Sequence, residues 1–309
     1  MEWHDKSIVV TGGTGFLGSK IVSQLKEKGA KNILIPKSNE YDLRYKENAK
    51  KITENADIVF HIAAKVGGIG LNQEKPGELF YDNLIMGTNL LEQARENNVE
   101  KFIALGTVCS YPKFTPIPFK EESIWDGYPE ETNAPYGLAK KMLLVQSQAY
   151  RQQYNFQSIM VIPTNLYGPN DNFDDKSSHV IPALIKKIYQ AKKENLKNIS
   201  VWGDGSPTRD FLYVDDAANG IILAAEKYNS SLPINLGSGI EISIKELVMK
   251  IIHLMDVDVD IVWDIEKPNG QPRRCISIER DRKEIGFEPK IDLDDGLKQT
   301  IDWYVSNLS

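Results

Sequence analysis

The stretch Ser7-Ile8-Val9-Val10-Thr11-Gly12-Gly13-Thr14-Gly15-Phe16-Leu17-Gly18 decides the fold. Ile8, Val9 and Val10 are apolar and β-branched, as a buried strand requires, and after Thr11 the glycines follow, leading into an amphipathic helical stretch over 18–28. At such a strand–helix junction Gly12 permits a tight turn, Gly15 lets a pyrophosphate approach the backbone, and Gly18 lets helix and strand pack closely. The free N–H groups of the helix start, around Phe16 and Leu17, then face the phosphates. A dinucleotide-binding fold follows from that placement, since three glycines elsewhere would mark only turns.

Working outward, strands are expected at 7–10, 32–35, 57–62, 101–105 and 158–162, with helices at 18–28, 78–97 and 136–153 between them. Alternation of this kind implies a doubly wound parallel sheet of Rossmann type, covered by helices on both faces. At the end of the second strand an enzyme selective for NAD usually places an acid against the ribose 2′-hydroxyl. Here Lys37 and Ser38 stand there, a cation and a hydroxyl suited to a 2′-phosphate, so NADP(H) is expected over NAD(H). Asn133 is the expected N-cap of the third helix, with Pro135 in its first turn. Residues 111–135 hold five prolines and little periodicity, the mark of a functional loop. Residues 186–198 are lysine-rich and read as a solvated helix face and turn.

The two halves of the chain divide differently. We expect a dinucleotide-binding domain of 1–164 plus 211–237, and a smaller α/β substrate-binding domain of 165–210 plus 238–309, built from interleaved segments. A net charge of −6 argues against a nucleic-acid partner, so an anionic ligand must be met by a local cluster of cations. Residues 1–6 carry no apolar leader core and no run is long enough for a membrane helix, which makes the cytosol the expected compartment. Two cysteines, Cys109 and Cys275, provide neither a disulfide framework nor a zinc ligand set.

Tyr136 and Lys140 are four residues apart on a helix and therefore share a face. An ammonium beside a phenol is expected to draw the tyrosine pKa down toward working pH, so that the tyrosine exchanges a proton with a carbonyl oxygen during hydride transfer. Thr107, at the end of the fourth strand, supplies a second hydrogen bond to that oxygen.

With these residues in place, the chain resembles the extended short-chain dehydrogenases/reductases over nearly its whole length. Asp42-Leu43 resembles that family's adenine-contact pair, and Ala63-Ala64 its stretch after the third strand. Within the family the resemblance narrows to enzymes acting on GDP-linked 4-keto-6-deoxy sugars. It is carried by 64–69 (AKVGGI), 109–113 (CSYPK), 163–173 (PTNLYGPNDNF), 178–184 (SHVIPAL), 202–205 (WGDG), 209–216 (RDFLYVDD) and 267–274 (KPNGQPRR).

The resemblance implies the following roles. Thr107, Tyr136 and Lys140 form a reduction triad around the C4 carbonyl. Cys109, as thiolate base, and His179, as acid, invert C3 and C5, whose protons are acidified by the neighbouring ketone. Pro163 and His179 also border the cofactor. Arg209, Lys283 and Lys187 meet the diphosphate, while Trp202, Val180, Leu184 and Asn165 line the guanosine and sugar pocket. A homodimer through the helices at 78–97 and 136–153 is implied as well.

Departures from the family pattern are Thr107-Val108 in place of two serines, Pro36-Lys37-Ser38 in place of an arginine-containing segment, and Lys187 in place of arginine. They keep open a 4-ketoreductase or epimerase acting on a related nucleotide sugar, including a GDP-heptose. A 4,6-dehydratase is disfavoured because Val108-Cys109 replaces its acidic pair. A non-catalytic nucleotide sensor is disfavoured because Tyr136 and Lys140 are both present.

Overall fold

The computed structural model describes residues 1–307 apart from 176 and 268. In chain order the first half runs β1 (Ser7–Thr11), α1 (Phe16–Glu27), β2 (Asn32–Leu34), α2 (Lys46–Thr53), β3 (Ile58–His61), α3 (Ile69–Glu74), α4 (Pro76–Glu96), β4 (Lys101–Leu105), α5 (Ala134–Tyr154) and β5 (Ser158–Pro163). The second half adds β6 (Asn165–Tyr167), α6 (Val180–Glu194), β7 (Asn198–Trp202), β8 (Thr208–Tyr213), α7 (Val214–Lys227), β9 (Ile234–Leu236) and β10 (Glu241–Ser243). It closes with α8 (Ile244–Met255), β11 (Asp260–Asp264), β12 (Arg273–Arg274), α9 (Glu279–Ile285) and α10 (Leu293–Asn307).

Six strands form an all-parallel sheet in the order β2-β1-β3-β4-β5-β9. Its central strands are buried on both faces, which is why they read as continuous apolar runs rather than alternating ones. In β1, Ile8 and Val10 pack on one side with Leu17, Ile21 and Leu25 of α1 and Ala217 and Ile221 of α7. Val9 faces the other side, with Leu90 and Leu91 of α4 and Leu143 and Leu144 of α5. Thus the 3.6-residue and 2-residue periodicities meet in two apolar layers, one on each face of the sheet.

A third core lies at the C-terminal end of the sheet, where β10-β8-β12, with β6 also paired to β8, form a small sheet and β11 pairs with β7. The chain crosses between the sheets at Thr164, the single residue between β5 and β6, whose N–H donates to Leu236 O at 3.0 Å. It returns through α7 to β9.

The structure adds to or departs from the sequence reading at four places. Asn133 occupies the N-cap position of α5 in an αR conformation without capping through its side chain, which instead donates to Glu130 at 2.7 Å. Residues 186–194 are not a solvated face alone, because α6 turns Lys186 and Lys187 toward the cleft and buries Ile185 and Ile188 in the third core. The boundary expected at 210 falls inside β8, which continues to Tyr213 because β6 pairs with 211–213. Helix α2 was not anticipated, since of Lys46–Thr53 only Ala49, Ile52 and Thr53 are buried.

Candidate active site

Between β1 and β3 the chain reverses its direction of travel across the sheet, from β2 on one side to β3 on the other. Ligands of open parallel sheets bind outside the carboxyl ends of the strands at such a point. A cleft of about 1740 Å³ opens there and extends over the small sheet.

At the dinucleotide end, Gly12 has φ +70°, and a Cβ on it would lie 2.9 Å from Ala63 N. A Cβ on Gly18 would lie 2.1 Å from Gly12 O, so the turn closes directly on α1. Thr11 Oγ1 fixes the neighbouring strand end: it accepts from Ala63 N–H at 3.2 Å and sits 3.0 Å from His61 Nδ1. Burial first, and then the charge of Lys140, hold the His61 imidazole far below its ordinary pKa, so it is neutral. Helix α1 begins after Gly15 without a side-chain cap, leaving the amides of its first turn for an anion. Gly12, Gly15, Phe16, Leu17 and Gly18 all border the cleft, as do Ala63, Ala64 and Pro163.

Lys37, Ser38, Asp42 and Leu43 border the same end. The Asp42 carboxylate is gripped by Arg44, at 2.7 Å from Nη2 and 3.0 Å from Nε, and this contact above all lowers its pKa. Arg44 itself borders the cleft and was missed from sequence, where a lone arginine after Asp42-Leu43 gives no signal of its direction.

The candidate catalytic centre is assembled by the junction of α5 with the turn after β4. Thr107 Oγ1 accepts the Cys109 N–H at 3.2 Å and shares a hydrogen bond with the Tyr136 phenol. Ser110 Oγ donates to Gly137 O at 2.9 Å, and a Cβ on Gly137 would sit 2.3 Å from Cys109 O. Only glycine at 137 lets α5 come this close, and that approach sets Tyr136 beside Thr107 and Cys109.

The expected effect of Lys140 on Tyr136 is not what dominates. Burial first, and the proximity of Cys109 second, raise the phenol above its ordinary pKa, against the opposing hydrogen bond from Thr107. Lys140 is enclosed by protein and lies outside the cleft wall; burial lowers its pKa to about 8. Desolvation decides the direction here, so Tyr136 stands as a proton donor at neutral pH.

At the sugar end, His179 immediately precedes α6 and opens to the cleft; burial among its neighbours and then the charge of Arg274 lower its imidazole pKa. Its loop is docked by Gly68, whose N–H donates to Ser177 O at 3.1 Å and whose Cβ position is 2.8 Å from Ser178 O. Asn165 Nδ2 donates to Asp210 O at 2.8 Å. Val180 and Leu184 form apolar wall, and Lys187 Nζ donates to Ser200 O at 2.5 Å, with burial lowering its pKa. Trp202 is 53% exposed at the cleft rim rather than a core aromatic, with the Lys267 ammonium 5.5 Å from its ring centre.

Arg209 projects from β8, and burial, followed by the charge of Arg274, lowers it to about 9, which leaves it charged at neutral pH. Lys283 is not brought to the site. It is exposed in the last turn of α9, and that helix packs on α7 and β9, beside the large sheet and away from the cleft wall. Arg274 borders the cleft instead.

An all-parallel sheet, a glycine cradle at its switch point and a tyrosine–threonine pair beside it define a dinucleotide-dependent reductase or epimerase architecture. The chain belongs to the NAD dependent epimerase/dehydratase family, whose pattern matches residues 8–237. It is 40% identical to a GDP-L-fucose synthase of Sinorhizobium fredii over 306 residues, covering 98% of this chain and 97% of that one. Among solved structures it resembles a GDP-6-OMe-4-keto-L-xylo-heptose reductase from C. jejuni, with a TM-score of 0.92, 26% identity and 98% of each chain covered. It also resembles a GDP-L-fucose synthetase from Naegleria fowleri bound to NADP, with a TM-score of 0.89, 29% identity, and 98% of this chain and 95% of that one covered.

Proposed function

We propose that this protein is an NADP(H)-dependent enzyme that inverts C3 and C5 and reduces C4 of a GDP-linked 4-keto-6-deoxy sugar, as a GDP-L-fucose synthase does. One observation carries the reading: a single cleft is bordered by the glycine cradle, Tyr136 and Thr107, Cys109 and His179, and the cations Arg209 and Lys187. The relatives that share the fold over nearly its full length support it.

The residues fit a dinucleotide: the position a Cβ would fill at Gly12 is kept clear, the start of α1 is uncapped, and Lys37 with Ser38 suits a 2′-phosphate. That cofactor, when bound, supplies hydride to C4. Tyr136 gives its phenolic proton to the C4 oxygen, and Thr107 holds a second hydrogen bond to it. For inversion, Cys109 as thiolate takes the proton from the carbon beside the ketone. The C–H electron pair moves into the enolate, whose oxygen Tyr136 stabilises, and His179 returns a proton to the opposite face. Arg209 and Lys187 face the diphosphate, and Trp202 offers an exposed ring to the base.

In this reading the domains divide close to the expected boundaries, with β8 given whole to the smaller unit. Exposed Phe80 and Tyr81 on α4, with Met142 and Val145 on α5, offer an apolar face for a two-fold dimer, which sedimentation would detect.

A second reading, reduction of a related GDP-sugar with little or no inversion, is favoured by Val108, whose buried isopropyl group stands where a serine hydroxyl is expected. One experiment separates the two: incubation with NADPH and a panel of 4-keto-6-deoxy sugar nucleotides and GDP-keto-heptoses, with products assigned by NMR. Inverted and reduced GDP-sugar is the expected product. Reduced sugar of unchanged C3 and C5 configuration establishes the second reading, and no NADPH consumption by any member overturns both.

A further inference from the structure

Two guanidinium groups stand side by side under the sugar end of the cleft. Arg274 of β12 is the register partner of Arg209 of β8 in a parallel pair, and both border the cleft. Arg274 is only 9% exposed. Neither arginine has a carboxylate ion pair among the described residues: Glu241, on the adjoining strand β10, is taken by Arg273. A guanidinium does not shed its proton to escape burial, so it needs an anion in reach.

The terminal Nη1 of Arg274 donates to Cys109 Sγ at 3.7 Å, within the range for sulfur acceptors, while its Nε has no partner within the protein. The same charge is felt by His179 and Arg209. Arg274 therefore addresses the two groups that the proposed function sets on either side of the sugar ring, whereas Thr107 serves Tyr136.

Resting on the proposed inversion chemistry, we propose that Arg274 is a positioning residue for proton abstraction: it supplies the counter-charge and hydrogen bond that hold the Cys109 sulfur as a base aimed at the ring. It thereby sets how fast C3 and C5 exchange protons, and leaves the rate of C4 reduction to Tyr136. Arginine suits this place because its planar, always charged fork holds its N–H donors in a fixed direction toward the sulfur.

The test compares the wild-type chain with Arg274→Lys and Arg274→Gln. In the absence of sugar and cofactor, the rate of Cys109 alkylation by iodoacetamide is followed against pH, with the Cys109 peptide resolved from the Cys275 peptide by mass spectrometry. Arg274→Gln is expected to slow alkylation at neutral pH about tenfold and to move the profile to higher pH, with Arg274→Lys recovering most of the rate. In heavy water, deuterium entry at C3 and C5 should fall about tenfold in Arg274→Gln, while reduction of a keto-sugar already inverted stays within about twofold of wild type. Unchanged alkylation of Cys109, no recovery by lysine, or exchange and reduction falling together would overturn the proposal. If the wild-type chain processes no keto-sugar at all, the substrate reading falls, and the alkylation profile still decides the role of Arg274.

Discussion

The two ends of the cleft are built by different means. The dinucleotide end is shaped by main chain: Gly12 at φ +70°, Gly18 pressed onto the Gly12 carbonyl, and Thr11 tying β1 to Ala63, two residues past the end of β3. The sugar end is shaped by side chains delivered from distant segments, with Cys109, His179, Arg209 and Arg274 arriving from four separate stretches of chain. A backbone cradle tolerates no added atom but carries no reaction by itself. A side-chain cluster can be changed one group at a time, each change removing one step.

The largest expected effect tests that contrast. Tyr136→Phe should lower C4 reduction by about 10²–10⁴-fold, since the proton donor alone is removed, while NADPH binding followed by fluorescence stays intact. Loss of cofactor binding in that variant would mean that the ends are not separable. Next, Gly137→Ala places a Cβ 2.3 Å from the Cys109 carbonyl oxygen. It should cost about 10²-fold in reduction through displacement of Tyr136, with a drop in Tm of a few degrees.

A pH profile of kcat/KM for reduction sharpens the picture of Lys140. Burial lowers this lysine to about 8 and raises Tyr136, so the phenol stays protonated while the ammonium is lost. Because the phenol, the proton donor, is retained through that range, loss of the Lys140 charge alone should change reduction by less than about threefold between about pH 7 and 9; a steep alkaline limb near about pH 8 would show that the ammonium takes part in the transfer. Trp202→Ala should raise KM about tenfold with kcat nearly unchanged, because an exposed ring contributes binding rather than chemistry. Smallest of all, Lys283→Ala should alter KM by less than about twofold, as α9 carries that ammonium away from the cleft.

The same contrast explains what could be read without coordinates. Five of the six strands of the large sheet were legible, the central ones because burial on both faces makes them near-continuous apolar runs and β1 because Gly12, Gly15 and Gly18 follow it at once, whereas the three-residue β9 was not expected. Strand β4 was expected at 101–105, where it is found. Helix α2 was illegible, since its polar sequence buries just three side chains. In the cleft, Tyr136 and Lys140 were tied by helical spacing, but the sign of the Tyr136 shift was not, because desolvation belongs to the tertiary environment. Arg44, Gly137 and Arg274 escaped notice for a related reason: each acts on a partner that is local only in space or depends on side-chain direction. Lys283 is the converse case, a position expected by resemblance that lies exposed on α9, off the cleft wall.

Gly68 joins the two ends, its amide bonded to Ser177 and its bare α-carbon lying against Ser178, one residue before His179. His179, the proposed proton donor, is thus hung from the loop that follows β3, and β3 itself borders the nucleotide cradle. A single methyl group added at that turn would push the imidazole off station without touching Tyr136 or the glycine cradle. Stereochemical inversion could then lapse in a descendant that still reduces ketones, through a change in neither catalytic side chain.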